Sequence, residues 1–263
     1  MIKISKSHDM VKKMKDIIKT NLYPDLTIAD DIQILKIVND NNIEIELLLY
    51  SYEENYQEST KILLNQLIKK SKETYEISSS TYESLSLKDN HAGIIAAIKY
   101  PKYNLNSLKD KEFLFVLDSL EIPGNVGTIY RTLDSVKADA VILVNPVSKQ
   151  NNPKLTAAAR GCNLIIPTVV ASYDDALKYL LDNNYDIFLG EPKLGLNYQE
   201  YDYKGKIAIV VGNERFGINP KWYENQNKKV YIPMEGNQNS LNVGVAASIL
   251  AYEAYMKRKN KNF

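Results

Sequence analysis

Cysteine is nearly missing from this chain: there is one in 263 residues, with two histidines. A structural zinc site wants four Cys/His ligands and a disulfide wants two cysteines, so counting excludes both and no metal site is expected. A Ser-His-Asp or Cys-His device would have to use His8 or His91, both far from the glycine-rich segments described below. Arginine is scarce too, with Arg131, Arg160, Arg215 and Arg258 against 29 lysines, which makes each planar, permanently charged fork more informative. No apolar run approaches the roughly 18 residues a membrane span needs. The best candidates lie at 164–171 and around 243–252. The opening MIKISKSHDMVKK has charges but no apolar h-region, so no secretory signal is expected and the reading is a cytoplasmic protein. The glycine patterns G-x-G-x-x-G and G-x-x-x-x-G-K-[ST] are both absent, and the near miss from Gly190 to Gly195 is followed by Leu196 instead of lysine. An excess of one charge is missing as well. Lys+Arg number 33 and Asp+Glu 32, with net −1 in residues 1–110 and +2 in the rest. Any basic surface must therefore come from clustering in space or across a dimer, with Lys12, Lys13 and Lys15 or Lys69, Lys70 and Lys72 as candidates.

What is present reads as an ordinary globular composition, 44% apolar and 25% charged, long enough for one or two domains. Val11-Met14-Ile17-Ile18, Ile32-Leu35-Ile37-Val38 and Ile62-Leu63-Leu64-Leu67-Ile68 have helical spacing, whereas Ile45 to Tyr50 and Gly93 to Ile98 are strand-like. These predict a small α/β domain over residues 1–100, followed by a polar, proline-containing linker at 101–111. From residue 112 to 263 the near-continuous apolar runs FLFVLD, AVILVN, LIIPTVV, DIFLG, IAIVVG and KVYIP alternate with helical or loop segments. Strands of that kind are covered on both faces, so the fold class is α/β with a parallel sheet, and its site belongs at the strand ends.

Three segments stand at such ends. In LDSLEIPGNVGTIYRT a strand ends at Asp118 and a Pro-Gly-Asn-Val-Gly turn opens a helix at Thr128. That turn reads either as an anion site at a helix N-terminus or as a plain tight turn. In IAIVVGNERFGI, Gly212 and Gly217 flank Glu214, which is either a solvated loop charge or an active carboxylate. In KVYIPMEGNQNSLNVGVAASILAYE a polar loop leads into an apolar helix near Leu241. Asn239 or Ser240 is the expected N-cap, Val245, Ala246, Ile249 and Leu250 the expected buried face, and Lys257, Arg258 and Lys259 suit the C-terminal dipole.

Taken together and in this order, P-x-N-x-G-x-I-x-R-T, G-x-E-x-x-G and I-P-M-x-G-x-x-x-S-L-N-V closely resemble the SPOUT superfamily, and more narrowly its SpoU/TrmH branch of RNA ribose 2′-O-methyltransferases. The likeness covers about residues 113–257. The N-terminal region is more loosely similar to a ribosomal-protein-like RNA substrate-binding domain, with Asn90-His91-Ala92-Gly93-Ile94 similar to the family's His-x-Gly-Ile segment. Both halves together are also similar to thiopeptide-resistance methyltransferases of large-subunit ribosomal RNA.

The resemblance implies a deep trefoil knot in the C-terminal domain, S-adenosylmethionine as cofactor, a homodimer, and methyl transfer to a ribose 2′-hydroxyl of structured RNA. Large-subunit 23S ribosomal RNA is the first expectation and transfer RNA the second. Carried over by position, Gly212, Ile232 and Leu241, with Gly190 as a fourth candidate, line the adenosyl pocket largely through backbone groups. The chemistry falls on Asn125, Arg131, Glu214, Ser240 and Asn242. Arg131 leads; a guanidinium is a poor base, so it is read as clamping a phosphate and orienting the ribose while the proton leaves to water or a neighbouring acceptor. Glu214 orients that arginine or another donor, and Ser240 either holds the loop or only caps the helix. Arg160 is read as an RNA or cofactor-carboxylate contact, or equally as a surface charge. Where the family usually has S-L-N-V-S, this chain has Gly244 in the last place, which removes a hydroxyl at a cost of about 1 kcal/mol at most by helix propensity. Two competing readings remain: a non-catalytic RNA-binding or ribosome-assembly protein with this fold, favoured by Gly244 and the near-neutral charge, and a small-molecule methyltransferase.

Overall fold

The computed structural model describes residues 2–20, 22–87, 92–225 and 227–259. The chain divides into two compact units, Met1–Pro101 with Asn151–Ile165, and Lys102–Gln150 with Ile166–Phe263. A single cut at 101–111 therefore misses one feature: residues 151–165, expected in the C-terminal domain, pack in the first unit. Leu164 is buried there with Ile34 and Leu35, the Thr27 and Thr156 hydroxyls share a hydrogen bond of 3.2 Å, and the Tyr100 hydroxyl donates to the Asn163 carbonyl at 3.0 Å.

The first unit runs β1 (Ile2–Lys3), α1 (Asp9–Lys19), β2 (Leu26–Ala29), α2 (Ile32–Asp40), β3 (Ile45–Ser51), α3 (Glu58–Lys70), β4 (Ser71–Ile77), α4 (Ser79–Glu83) and β5 (Ile94–Lys99). Its sheet is mixed, in the order β1-β4-β3-β5-β2, and both faces are buried. The helical spacings seen in the sequence supply the inward faces: Val11, Met14 and Ile17 of α1, Ile34, Leu35 and Val38 of α2, and Leu63, Leu64 and Leu67 of α3. Strand β4, SKETYEI, carries too little apolar pattern to read as a strand, since it lies only half-buried and its Lys72 is paired with Glu46 of β3 at 3.0 Å. Asn90 and His91 of the His-x-Gly-Ile segment lie outside the described residues. Gly93 in the same segment has φ +70°, and a Cβ added there would lie 2.9 Å from the side chains of Glu54 and Tyr56, so only glycine fits.

The second unit begins with β6 (Phe113–Asp118), α5 (Pro123–Ser135) and β7 (Ala140–Val144). After α6 (Pro153–Ala158), which belongs to the first unit, it continues with β8 (Thr168–Ala171), α7 (Tyr173–Asp182), β9 (Asp186–Glu191), β10 (Leu196–Asn197), β11 (Ile207–Val211), β12 (Lys228–Tyr231) and α8 (Val243–Lys259). The seven strands are all parallel, in the order β10-β12-β9-β11-β6-β7-β8. This is the doubly covered parallel sheet expected from the apolar runs. One run is shorter than expected: LIIPTVV becomes a strand only from Thr168, because Pro167 has no N–H for the ladder and Leu164 is in a 3-10 turn of the first unit.

Two helix starts also differ from expectation. Helix α5 begins at Pro123, so Gly124, Asn125 and Gly127 lie within it and do not precede it; proline at the first helical position loses no intrahelical bond. Helix α8 begins at Val243, and its cap is neither Asn239 nor Ser240 but Asn242, whose Oδ1 accepts the N–H groups of Gly244 at 2.9 Å and Val245 at 3.3 Å. Its buried face is Gly244, Ala247, Leu250, Ala251 and Ala254, so of the four residues expected inside only Leu250 is buried. Small residues let α8 lie close to α5, where the Thr132 and Ser248 hydroxyls meet at 2.8 Å. Val245, Tyr252 and Met256 stay exposed. Lys257, Arg258 and Lys259 fall in the last turn of α8, and Arg258 joins that turn to other segments, donating to the Gly205 and Tyr203 carbonyls and pairing with Glu112 at 3.1 Å.

Candidate active site

The three glycine-containing loops meet at the carboxyl ends of β9, β11 and β12 around one cavity of about 630 Å³. Its walls include Asn125 from the first turn of α5, Gly190 and Glu191 ending β9, Gly212 and Glu214 beyond β11, and Ile232, Ser240, Leu241 and Asn242 between β12 and α8. Eight of the ten residues singled out in the sequence are thus brought together.

At the mouth a carboxylate organises the loops. Glu214 accepts from the Asn125 amide at 2.9 Å and from the backbone N–H groups of Glu121 at 3.2 Å and Ile122 at 3.3 Å. Asn242 in turn donates to Asn125 Oδ1 at 3.0 Å, so Glu214, Asn125 and Asn242 form one chain joining the three segments. Partial burial pushes the Glu214 carboxyl upward, but the bonds from Asn125 and the backbone outweigh it and hold it below the usual carboxylate range. Such a group stays ionised at neutral pH, and three donors already share its two oxygens. The donor it orients is Asn125, not Arg131.

The G-x-E-x-x-G loop is rigid for a reason that lies in Asn213. Its Oδ1 accepts the N–H groups of Arg215 at 2.9 Å and Phe216 at 3.1 Å, its Nδ2 donates to the Ser119 carbonyl at 2.8 Å, and its backbone pairs both ways with Gly217 at 2.9 Å. The loop therefore folds back so tightly that a Cβ on Gly212 would lie 2.3 Å from the Gly217 carbonyl carbon. Gly217 itself sits at φ +72°. Asp118 performs the same service at the end of β6: buried, it accepts from Asn219 N–H at 2.8 Å and Trp222 Nε1 at 3.2 Å. Sequence reading missed Asn213, although its place between a strand and a glycine turn is a usual one for an Asn that satisfies turn amides. It missed Asp118 as more than a strand end, since its partners lie about a hundred residues away in the chain.

Gly244 has a local cause. A Cβ there would stand 3.1 Å from Asn242 Oδ1 and 3.4 Å from both the Asn125 carbonyl and Thr128 Cβ. The residue is buried where α8 approaches α5, and a serine would press on the asparagine that caps the helix.

Two expected residues stand apart. Arg131 is exposed on α5 and does not line the cavity; its Nη2 donates to Thr128 Oγ1 at 3.3 Å. Arg160 belongs to the first unit, exposed at φ 50° just after α6, and is likewise outside the cavity lining. A second cavity of about 620 Å³ opens at the amino ends of the strands beside Lys137, Lys204, Arg258 and Lys259. None of the motif residues reaches it and its arginine is already held by Glu112 and two carbonyls, so the first cavity is the functional candidate. Among the described residues no cluster of three or more His, Cys, Asp or Glu side chains could hold a metal ion, and no helix is long and apolar enough to cross a membrane.

A parallel α/β unit with its cavity at the strand ends, bounded by these three motifs, defines a class of methylase. The sequence profile of the SpoU rRNA Methylase family matches residues 112–252, more than half of the chain, and the chain belongs to that family. Among its relatives is the 23S rRNA (guanosine(2553)-2′-O)-methyltransferase RlmP of Bacillus subtilis, 32% identical over 181 residues that cover 68% of this chain and 71% of the relative. Among solved structures, an RNA 2′-O ribose methyltransferase matches with 25% identity, a TM-score of 0.81 and coverage of 97% of this chain and 99% of the other. An AdoMet-bound rRNA methyltransferase from Sinorhizobium meliloti shares the fold at a TM-score of 0.85, with 21% identity over 94% of each chain.

Proposed function

We propose that the protein transfers a methyl group from S-adenosylmethionine to a ribose 2′-hydroxyl of structured RNA, with 23S ribosomal RNA as the substrate. The observation that carries this is the convergence of three separate loops on one cavity at the strand ends. Kinship with RlmP supports a ribosomal target, and transfer RNA is the second choice.

The cavity suits the cofactor. Its volume of about 630 Å³ is that of a nucleoside-sized pocket, and Gly190 and Gly212 present bare backbone between the apolar walls of Ile232 and Leu241. Gly190 has no room for a side chain to spare, with Leu250 at 3.2 Å and the Val210 carbonyl at 3.3 Å from the Cβ position. These four residues would hold the adenosyl group, and the bound cofactor supplies a methyl on a sulfonium. The chain supplies positioning. Asn125 and Asn242, locked to each other and to Glu214, present fixed amides at the mouth, and Ser240 adds an exposed hydroxyl beside them. Arg131 clamps the phosphate next to the target ribose. The 2′-hydroxyl proton leaves to water, since Glu214 is spent on its donors.

The finer architecture follows the same reading. The C-terminal unit is a knotted trefoil SPOUT domain and the first unit is the RNA-recognition domain, to which exposed Arg160 contributes. The protein is a cytoplasmic homodimer, supported by α8: Val245, Tyr252 and Met256 lie on one exposed apolar stripe, 47%, 49% and 48% accessible, beside the helix that carries Arg131. Calorimetry with S-adenosylmethionine and methyl-transfer assays on ribosomal RNA test the proposal. Arg131→Ala is expected to bind the cofactor as the parent does while losing transfer by at least about a hundredfold, the order of two lost charge-assisted bonds. Unchanged turnover in that variant would remove Arg131 from the chemistry, and a folded parent that binds no cofactor would favour the non-catalytic RNA-binding alternative.

A further inference from the structure

Glu191 ends β9 one residue past Gly190 and lines the cavity, yet it takes no part in the Glu214–Asn125–Asn242 chain. The hydroxyl of Tyr223 donates to its Oε1. Burial pushes its carboxyl above the usual range, and Lys229 acts against this only through space; no described cation lies at ion-pair distance. Lys229 is instead placed over the Tyr223 ring, 5.2 Å from its centroid. An ionised carboxylate only accepts, and one that is half-buried with a single oxygen engaged needs donors for the other.

The cavity admits two kinds of donor, a cation or the hydroxyls of a sugar. Under the proposed function the reacting end belongs beside Asn125 and Asn242, where the RNA ribose is held. The nucleoside end then belongs to the wall formed by the strand ends, which is where Glu191 stands with Gly190, Val230 and Ile232. In open parallel sheets an acidic side chain near the strand ends is a general means of holding ribose hydroxyls, because two acceptor oxygens match a vicinal diol. We propose that Glu191 accepts hydrogen bonds from the ribose diol of the bound adenosyl group and that Tyr223 fixes the carboxylate for this. The inference rests on the cofactor reading above and adds a side-chain determinant to a pocket otherwise built from backbone.

The test is calorimetry of the full chain with S-adenosylhomocysteine and its 2′-deoxy and 3′-deoxy analogues. The parent is expected to bind each deoxy analogue about tenfold more weakly, the worth of one hydrogen bond to a charged group. Glu191→Ala is expected to bind all three alike, about tenfold below the parent's affinity for either deoxy form, because both bonds are lost. Glu191→Gln, which keeps size and shape, is expected to lose the preference for at least one hydroxyl, and Tyr223→Phe to blunt it. A full preference for the diol in folded Glu191→Ala or Glu191→Gln overturns the assignment. So does an equal loss for all three ligands with the preference intact, which would place the carboxylate on the ammonium group. A parent that unfolds normally but binds none of the three refutes the cofactor reading itself, a result distinct from both.

Discussion

Asn242 serves two purposes at once, and this makes it a sensitive single residue. Its Oδ1 caps α8 and its Nδ2 reaches Asn125, so the helix start and the cavity mouth are fixed by the same side chain. Asn242→Ala is expected to lower unfolding stability by about 1 kcal/mol, the usual cost of an N-cap, measured by urea denaturation. Asn242→Asp keeps the cap and should recover most of that loss. Glu214 yields a pH signature. Its carboxyl is held below its ordinary value of 4.5 in the folded chain, so it contributes stability that is complete above that value and is lost as the pH falls through the lower, folded value. Denaturation curves of Glu214→Gln and the parent are therefore expected to differ at neutral pH and to converge as the pH drops below 4.5. A gap that stays constant through that range would show the carboxylate's charge to be irrelevant to the loops.

At the scale of elements, the strands covered on both faces are legible, whereas half-buried β4 and the helix ends are not. Runs such as FLFVLD and IAIVVG read as covered strands because the helices on both faces demand apolar residues at every position, and they became β6 and β11 as expected. Helix α8 is apolar nearly all round, so periodicity could not tell its inner face from its outer one; packing against α5 selected the small residues Gly244, Ala247, Ala251 and Ala254. The loops behaved similarly. Gly212, Glu214 and Asn242 stand out by motif, and Asn213 has a local turn signal, whereas its bond to Ser119 and the Tyr223 bond to Glu191 join residues distant in sequence and appear only once the sheet is folded. The stripe left on the outside of α8 is expected to be the dimer seam. Tyr252→Glu combined with Met256→Glu should shift the sedimenting species from dimer to monomer, because charges would be buried without partners. A variant that sediments as the parent does would move the interface elsewhere.

At the scale of the whole molecule, composition said little about RNA, since net charge is +1 over the full chain. The return of residues 151–165 to the first unit was hidden for a related reason: no change of composition marks it, and only contacts such as Thr27 with Thr156 reveal it. The proposed function requires that the strand-end cavity hold a methyl donor and a sugar hydroxyl together. The most direct measurement of that claim uses ribosomal RNA incubated with the protein and S-adenosylmethionine labelled in its methyl group, followed by alkaline hydrolysis. A ribose methylated at its 2′-oxygen blocks cleavage of the adjacent phosphodiester, so the label is expected in alkali-resistant dinucleotides. Label recovered in mononucleotides, on a base, would contradict the account, as would a folded, cofactor-binding protein that transfers no label.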